Sequence, residues 1–283
     1  MKQNLPYVIS DLDGTIADHN FKINSNTIVN INKYQIDSGF KFTFITGRTY
    51  AMCLETINLL NVKQPIGICN AAVIIDPTTK EILYQNLMLN NLVFDIVKKS
   101  IDNNFNFSLY TIWEVIGIKN QGRNKKWTEF NKNTTEQFQV KIVNYENKND
   151  LVKDVKTRKF EVVKIVFDVV DKNQELKIKE MISLYEELVF NKGASDIVDC
   201  MMKGPTKEHG VKFLADFWKV DHQSIYVFGD NENDTEMLCE QENSFAVGNA
   251  VENVKMVAAE VIDSMDNDGV GKKLLEIISN YKE

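Results

Sequence analysis

Hydrophobic and polar positions along the first part of the chain alternate between short apolar runs and helical spacing. Tyr7 to Ser10 is a short apolar run that stops at Asp11 and predicts a buried strand. Ile28, Ile31 and Tyr34 then recur at helical spacing, with Asn24 or Ser25 to cap the helix and Gly39 to end it. Phe42 to Ile45 predicts a second strand, Tyr50 to Leu60 a second helix, and Ile66 to Cys69 a third strand. A β-α-β-α-β order is that of a parallel sheet covered by helices.

From Glu81 to Lys192 the pattern changes. A helix near Leu92 to Ile101 precedes strand-like runs at Phe107 to Tyr110 and Trp113 to Ile118, and a polar, Asn/Lys-rich stretch from Lys119 to Gln137 then breaks the pattern. Val162 to Phe167 predicts another strand and Glu175 to Leu188 a helix. Strands here outnumber helices, which predicts a separate α+β domain over residues 81–192. After Gly193 the alternation returns, with helices at Thr206 to Trp218, Asp234 to Cys239 and Val270 to Ile278 and strands at Ile225 to Phe228, Phe245 to Val247 and Val261-Ile262. The expected architecture is one α/β core built from residues 1–80 and 193–283, with the second domain inserted between them.

Composition narrows the classes of function. The 283 residues are 43% apolar and 26% charged, as in ordinary globular proteins, and 33 Lys+Arg against 40 Asp+Glu give a net charge of −7. An acidic balance argues against nucleic acid as the main partner, which needs concentrated basic surface. Residues 81–192 hold 18 basic and 16 acidic side chains, so the acidic excess belongs to the core. Tyr7-Val8-Ile9 is too short for a secretory segment, and no run approaches the roughly 18 apolar residues of a membrane span. A cytoplasmic protein with no membrane partner is expected. Cys53, Cys69, Cys200 and Cys239 form no C-x-x-C pair and are expected to be reduced, buried packing residues.

Four segments carry candidate chemistry. Asp11-Leu12-Asp13-Gly14-Thr15 follows the first strand, and residues i and i+2 of extended chain point the same way, which lets both carboxylates face one pocket. Ligands of open parallel sheets bind beyond the carboxyl ends of the strands. Alone, the segment reads equally as an acidic turn, as Asp266-Asn267-Asp268-Gly269 does. Thr46-Gly47-Arg48 follows the second strand, where it is either an anion cradle or a plain strand-to-helix turn. Lys207 opens a helix and supplies a charge for phosphate if it faces the pocket; a solvated lysine is the ordinary alternative. Gly229-Asp230-Asn231-Glu232-Asn233-Asp234 runs from a strand into oxygen ligands that suit Mg²⁺, although acidic helix N-termini are common without one. Their order along the chain, each after a core strand or at a helix start, favours a single site.

These motifs resemble the four of the haloacid dehalogenase superfamily of phosphatases, and the long insertion between the second and third resembles its Cof-type branch. The likeness spans the chain, including Ala246-Val247-Gly248-Asn249-Ala250 and Asp268-Gly269-Val270. It departs at Asn70-Ala71-Ala72, where the branch shows Asn-Gly-Ala, and in Pro205 close before Lys207. The resemblance implies a Rossmann-like parallel-sheet core with an inserted α+β cap. It also implies a Mg²⁺-dependent phosphatase acting on a small phosphate ester of the sugar phosphate, pyridoxal phosphate or flavin mononucleotide class. By the same resemblance Asp11 is the nucleophile that forms an aspartyl-phosphate and Asp13 the acid and base. Mg²⁺ is held by the Asp11 carboxylate, the Asp13 backbone carbonyl and Asp230. The Leu12 amide, Thr46, the Gly47 amide, Lys207 and Asn233 hold phosphate oxygens, and Asp234 orients the metal ligands.

A phosphomutase of similar architecture and a regulatory phosphate-binding protein stand as alternatives, and the sequence leaves monomer or homodimer open. His19, His209 and His222 have no nucleophile pattern beside them, and no H-E-x-x-H, Walker loop or G-x-G-x-x-G occurs, so serine hydrolases, zinc proteases and dinucleotide enzymes lack support. Within the cap, Arg123, Lys125, Lys126 and Trp127 form a basic, aromatic patch that reads either as a solvated loop or as a contact for substrate.

Overall fold

The structure, a computed structural model, describes residues 5–18, 20–157, 160–192 and 196–281; His19 and the expected boundary at Gly193 lie outside them. The first part of the chain forms β1 (Val8–Ser10), α1 (Ser25–Ser38), β2 (Phe42–Phe44), α2 (Tyr50–Leu59), β3 (Ile66–Ile68), β4 (Val73–Ile75) and β5 (Ile82–Gln85). The middle adds α3 (Asn90–Asp102), β6 (Asn106–Tyr110), β7 (Glu114–Ile118), α4 (Gly122–Lys132), β8 (Lys141–Tyr145), α5 (Lys148–Lys156), β9 (Lys164–Asp168), α6 (Lys172–Ser183), β10 (Leu188–Lys192) and β11 (Ile197–Met202). The last part holds α7 (Lys207–Trp218), β12 (Tyr226–Gly229), α8 (Thr235–Cys239), β13 (Asn243–Ala246), α9 (Glu252–Val257), β14 (Glu260–Val261) and α10 (Gly269–Asn280).

Contacts divide the chain into two units, Met1–Arg48 with Glu55–Gln85 and Pro205–Glu283, and Thr49–Leu54 with Asn86–Gly204. The inserted unit therefore runs from Asn86 to Gly204 rather than from Glu81 to Lys192. β5 pairs with β4, and β11 is hydrogen-bonded between β10 and β9.

In the core unit five parallel strands lie in the order β14-β13-β12-β1-β2. Val8, Ile9, Phe42, Phe44, Val227 and Phe228 are all fully buried, as expected of short strands covered on both faces. Asn24 caps α1 by accepting the Asn26 N–H, and Gly39 ends it in the left-handed conformation. The third expected strand departs from the parallel pattern. Cys69, Asn70 and Ala71 all have positive φ, and this left-handed turn folds Val73–Ile75 back onto Ile66–Ile68, giving a separate antiparallel sheet β3-β4-β5. Its link to β2 is an isolated bridge from Ile45 to Gly67.

The inserted unit is a six-stranded sheet, β10-β11-β9-β6-β7-β8, antiparallel except for β7 and β8. α3, α5 and α6 cover one face, where Ile96, Leu151 and Ile178 join Phe107, Leu109 and Phe167 in one apolar cluster. The polar stretch that breaks the pattern contains α4. Its Asn124 and Trp127 reach Ser108 and Tyr110 on the opposite face, since successive strand residues alternate sides. Arg123 is buried and pairs with Asp168 at 2.8 Å, whereas Lys125 and Lys126 are exposed. These four residues therefore form no common patch: helical spacing sends Arg123 and Trp127 inward and the two lysines outward.

Cys53, Cys69 and Cys200 are buried, but Cys239 at the end of α8 is exposed. Burial, and next the charge of Asp199, pushes the Cys200 thiol up to about 12. Ellman titration of the native protein is expected to count one fast thiol, with the other three reacting only after denaturation; two or more fast thiols would contradict this packing.

Candidate active site

The core strands end side by side, and the loops that follow them carry the acidic and polar motifs. Asp11 leaves β1 with its N–H on the Phe228 carbonyl at 2.9 Å, which ties it to β12, the strand that ends just before Asp230. Its side chain is buried. Lys207, in the first turn of α7, is 1% exposed, and its Nζ lies 2.5 Å from Asp11 Oδ1 and 2.6 Å from Asp234 Oδ1. A lysine here is thus no solvated surface residue. It is a buried cation between two buried carboxylates, and their attraction overrides burial and raises its pKa.

Asp234 has both oxygens engaged: Oδ1 accepts from Lys207, and Oδ2 accepts the N–H groups of Asp230 and Asn231 at 3.0 and 3.1 Å. Such a carboxylate orients the loop around it. Asp230 accepts from the Thr15 hydroxyl at 2.7 Å. Gly14 makes room for it: with φ at +91°, a Cβ there would stand 2.3 Å from Asp230 Oδ2. Asn249 fixes this turn further by donating to the Gly14 carbonyl at 2.7 Å.

Asp11, Asp230 and Asp234 each place an oxygen within 4.8 Å of the other two. Burial raises the Asp11 pKa well above the carboxylate range; Lys207 opposes this, and repulsion from Asp234, Asp230 and Asp13 adds to it. Asp230 is pushed up to about 6, first by burial and then by Asp234. Crowded carboxylates with all-oxygen donors fit a hard divalent cation, which would relieve that repulsion. Since both oxygens of Asp234 are already engaged by Lys207 and two backbone N–H groups, Asp11 and Asp230 are the side chains best placed to ligate.

Asp13 is turned elsewhere, with its carboxylate held by Arg48 at 2.6 and 2.9 Å. Leu12 is buried, and its carbonyl accepts from Thr15, Ile16 and Ala17. Thr46 is buried beyond β2, and its carbonyl accepts the Asn70 N–H at 2.8 Å. Gly47 faces the Asn70 side chain across 3.6 Å, measured from where its Cβ would be. Asn233 is exposed and donates to Asn70 Oδ1 at 3.1 Å.

A family model described as haloacid dehalogenase-like hydrolase matches residues 8–274. The chain belongs to that family. A provisionally named phosphatase of Mycoplasma pneumoniae is 26% identical over 96% of this chain and 96% of its own. The 5-amino-6-(5-phospho-D-ribitylamino)uracil phosphatase YitU of Bacillus subtilis is 25% identical over 97% and 98%. The crystal structure of a haloacid dehalogenase-like hydrolase from Bacteroides thetaiotaomicron superimposes with a TM-score of 0.83 at 19% identity, covering 96% of this chain and 99% of that one. The chain is therefore a haloacid dehalogenase-type phosphatase of the Cof branch, with the expected α/β core. Among the described residues no helix is long and apolar enough to cross a membrane.

Of the residues named from sequence, the fold of this phosphatase gathers Asp11, Lys207, Asp230 and Asp234 into one cluster and leaves Asp13 on Arg48. Sequence reasoning gave no role to Thr15, Asn70, Arg48 or Asn249. All four lay inside segments that carry the family likeness, but only the fold pairs them across the chain. Ala71, where the branch shows Gly, keeps φ at +64°, a conformation costing roughly 1–2 kcal/mol for a residue with a side chain. Its methyl is accommodated by Gly210 on α7, where a Cβ would stand 2.7 Å from it.

Proposed function

We propose that this phosphatase hydrolyses a small phosphate monoester through an aspartyl-phosphate on Asp11, with Mg²⁺ as cofactor. The observation that carries this reading is the buried Asp11–Lys207–Asp234 arrangement beside Asp230. Asp11 attacks phosphorus, which splits one displacement into two. Asp13 gives its proton to the leaving oxygen and takes one from the water that follows. Lys207 holds Asp11 in place and offers positive charge to the phosphoryl oxygens, which Thr46, the Gly47 amide, the Leu12 amide and Asn233 also receive. Asp234 keeps Lys207 and the Asp230 loop in register. The Asp11 and Asp230 carboxylates and the Asp13 carbonyl would hold Mg²⁺, which supplies charge screening between an anionic nucleophile and an anionic phosphate.

The substrate class comprises sugar phosphates, pyridoxal phosphate and flavin-type phosphates, and the names of YitU and of a second relative, YwtE, 23% identical, add 5-amino-6-(5-phospho-D-ribitylamino)uracil to the candidates. A panel of these esters with Mg²⁺, read by inorganic phosphate released, is expected to show turnover for at least one. EDTA should abolish it and added Mg²⁺ restore it. Absence of release across the panel would overturn the reading, and turnover undiminished by EDTA would remove the metal from it.

A further inference from the structure

Arg48 has no part in the scheme above, yet it is built into the site. Its side chain is 4% exposed and grips both oxygens of Asp13, Nε donating to Oδ2 at 2.9 Å and Nη2 to Oδ1 at 2.6 Å. The guanidinium carbon lies 4.4 Å from the centre of the Phe21 ring. The backbone beneath it is pinned as well: its N–H donates to Thr46 Oγ1 at 3.2 Å and its carbonyl accepts the Cys69 N–H at 2.8 Å. The Asp13 side chain, by contrast, is 39% exposed. A buried, stacked fork thus holds a carboxyl group that is open to solvent.

We propose that Arg48 is the positioning residue for proton transfer: its buried, bidentate fork fixes the orientation of the Asp13 carboxyl group. The inference rests on the phosphatase reading. In the first step a bond forms between Asp11 and phosphorus while the ester P–O bond breaks, and its electron pair stays on the leaving oxygen, which takes the Asp13 proton. The resulting carboxylate matches a bidentate guanidinium. In the second step water attacks phosphorus and gives a proton back to Asp13, and the bond to Asp11 breaks. A lysine at this position would keep the charge and lose the fork.

Two aryl esters of similar shape separate this role from simple support of the fold. p-Nitrophenolate leaves readily without a proton, and phenolate leaves far less readily. General acid catalysis is worth about 10²–10⁴-fold, so Arg48→Met is expected to lower kcat/KM for phenyl phosphate at least about tenfold more than for p-nitrophenyl phosphate. Arg48→Lys should give the same ordering, and it carries the comparison if a circular dichroism melt finds Arg48→Met unfolded. In an Asp13→Asn background, adding Arg48→Met should cost less than about twofold on phenyl phosphate, since residues acting as one unit are not additive. Equal losses on the two esters, or a full second loss beyond Asp13→Asn, would overturn the inference and leave the phosphatase reading standing. A wild-type enzyme inactive on both esters with Mg²⁺ would overturn that reading and this inference together.

Discussion

Asp11→Asn is expected to abolish turnover while leaving the protein folded. The amide is nearly isosteric and still accepts a hydrogen bond from Lys207, but it cannot attack phosphorus. Loss of one catalytic nucleophile costs on the order of 10⁴-fold or more in kcat, so phosphate release with Mg²⁺ should fall to background. Stability should hold, because the substitution removes a buried charge that Asp234, Asp230 and Asp13 all repel, and Lys207 keeps Asp234 as partner at 2.6 Å. The measurements are initial rates on the active ester and a circular dichroism melt. More than a tenth of wild-type activity in Asp11→Asn would rule out Asp11 as nucleophile, whereas an unfolded variant would assign Asp11 to structure.

The second large effect is on stability. Lys207→Met would leave Asp11 and Asp234 buried without their shared cation, and removing one partner of a buried ion pair costs about 3–5 kcal/mol. That exceeds the roughly 0.5–3 kcal/mol of ordinary substitutions. Guanidinium denaturation should therefore show a clear drop in the unfolding midpoint, with activity lost as well. A surface lysine would behave otherwise: Lys33→Met, at a solvent-exposed i,i+4 pair with Asp37, is expected to change stability by less than about 1 kcal/mol. A loss below 1 kcal/mol for Lys207→Met would show that Lys207 does not balance the two carboxylates.

Much of the core was legible because its signals are local. Asn24 starts α1 through its side-chain oxygen and Gly39 ends it through its freedom to turn left-handed, and the apolar runs before Asp11, Thr46 and Asp230 became buried parallel strands. The inserted unit was less legible. α4 carries few apolar residues, and its inward face is Arg123, Asn124 and Trp127, so its burial depends on polar partners supplied by β6 and β9, which hydrophobic spacing does not report. The turn at Cys69 to Ala71 was hidden for a related reason, since three consecutive residues with side chains in the left-handed region are held there by packing and by hydrogen bonds to Thr46 and Arg48.

By itself the sequence determined the fold class and the placing of its acidic and polar motifs after strands or at helix starts, because strand termini, caps and motif residues are written in contiguous stretches. Tertiary structure decided how those groups are paired. Lys207 is 196 residues from Asp11, and Arg48 is 35 from Asp13; only the parallel sheet brings such positions together. The charge state of the site follows from that gathering. Asp11 and Asp234 are costly buried charges until one lysine lies between them, and Asp13 is an ordinary carboxylate until a buried guanidinium fixes it.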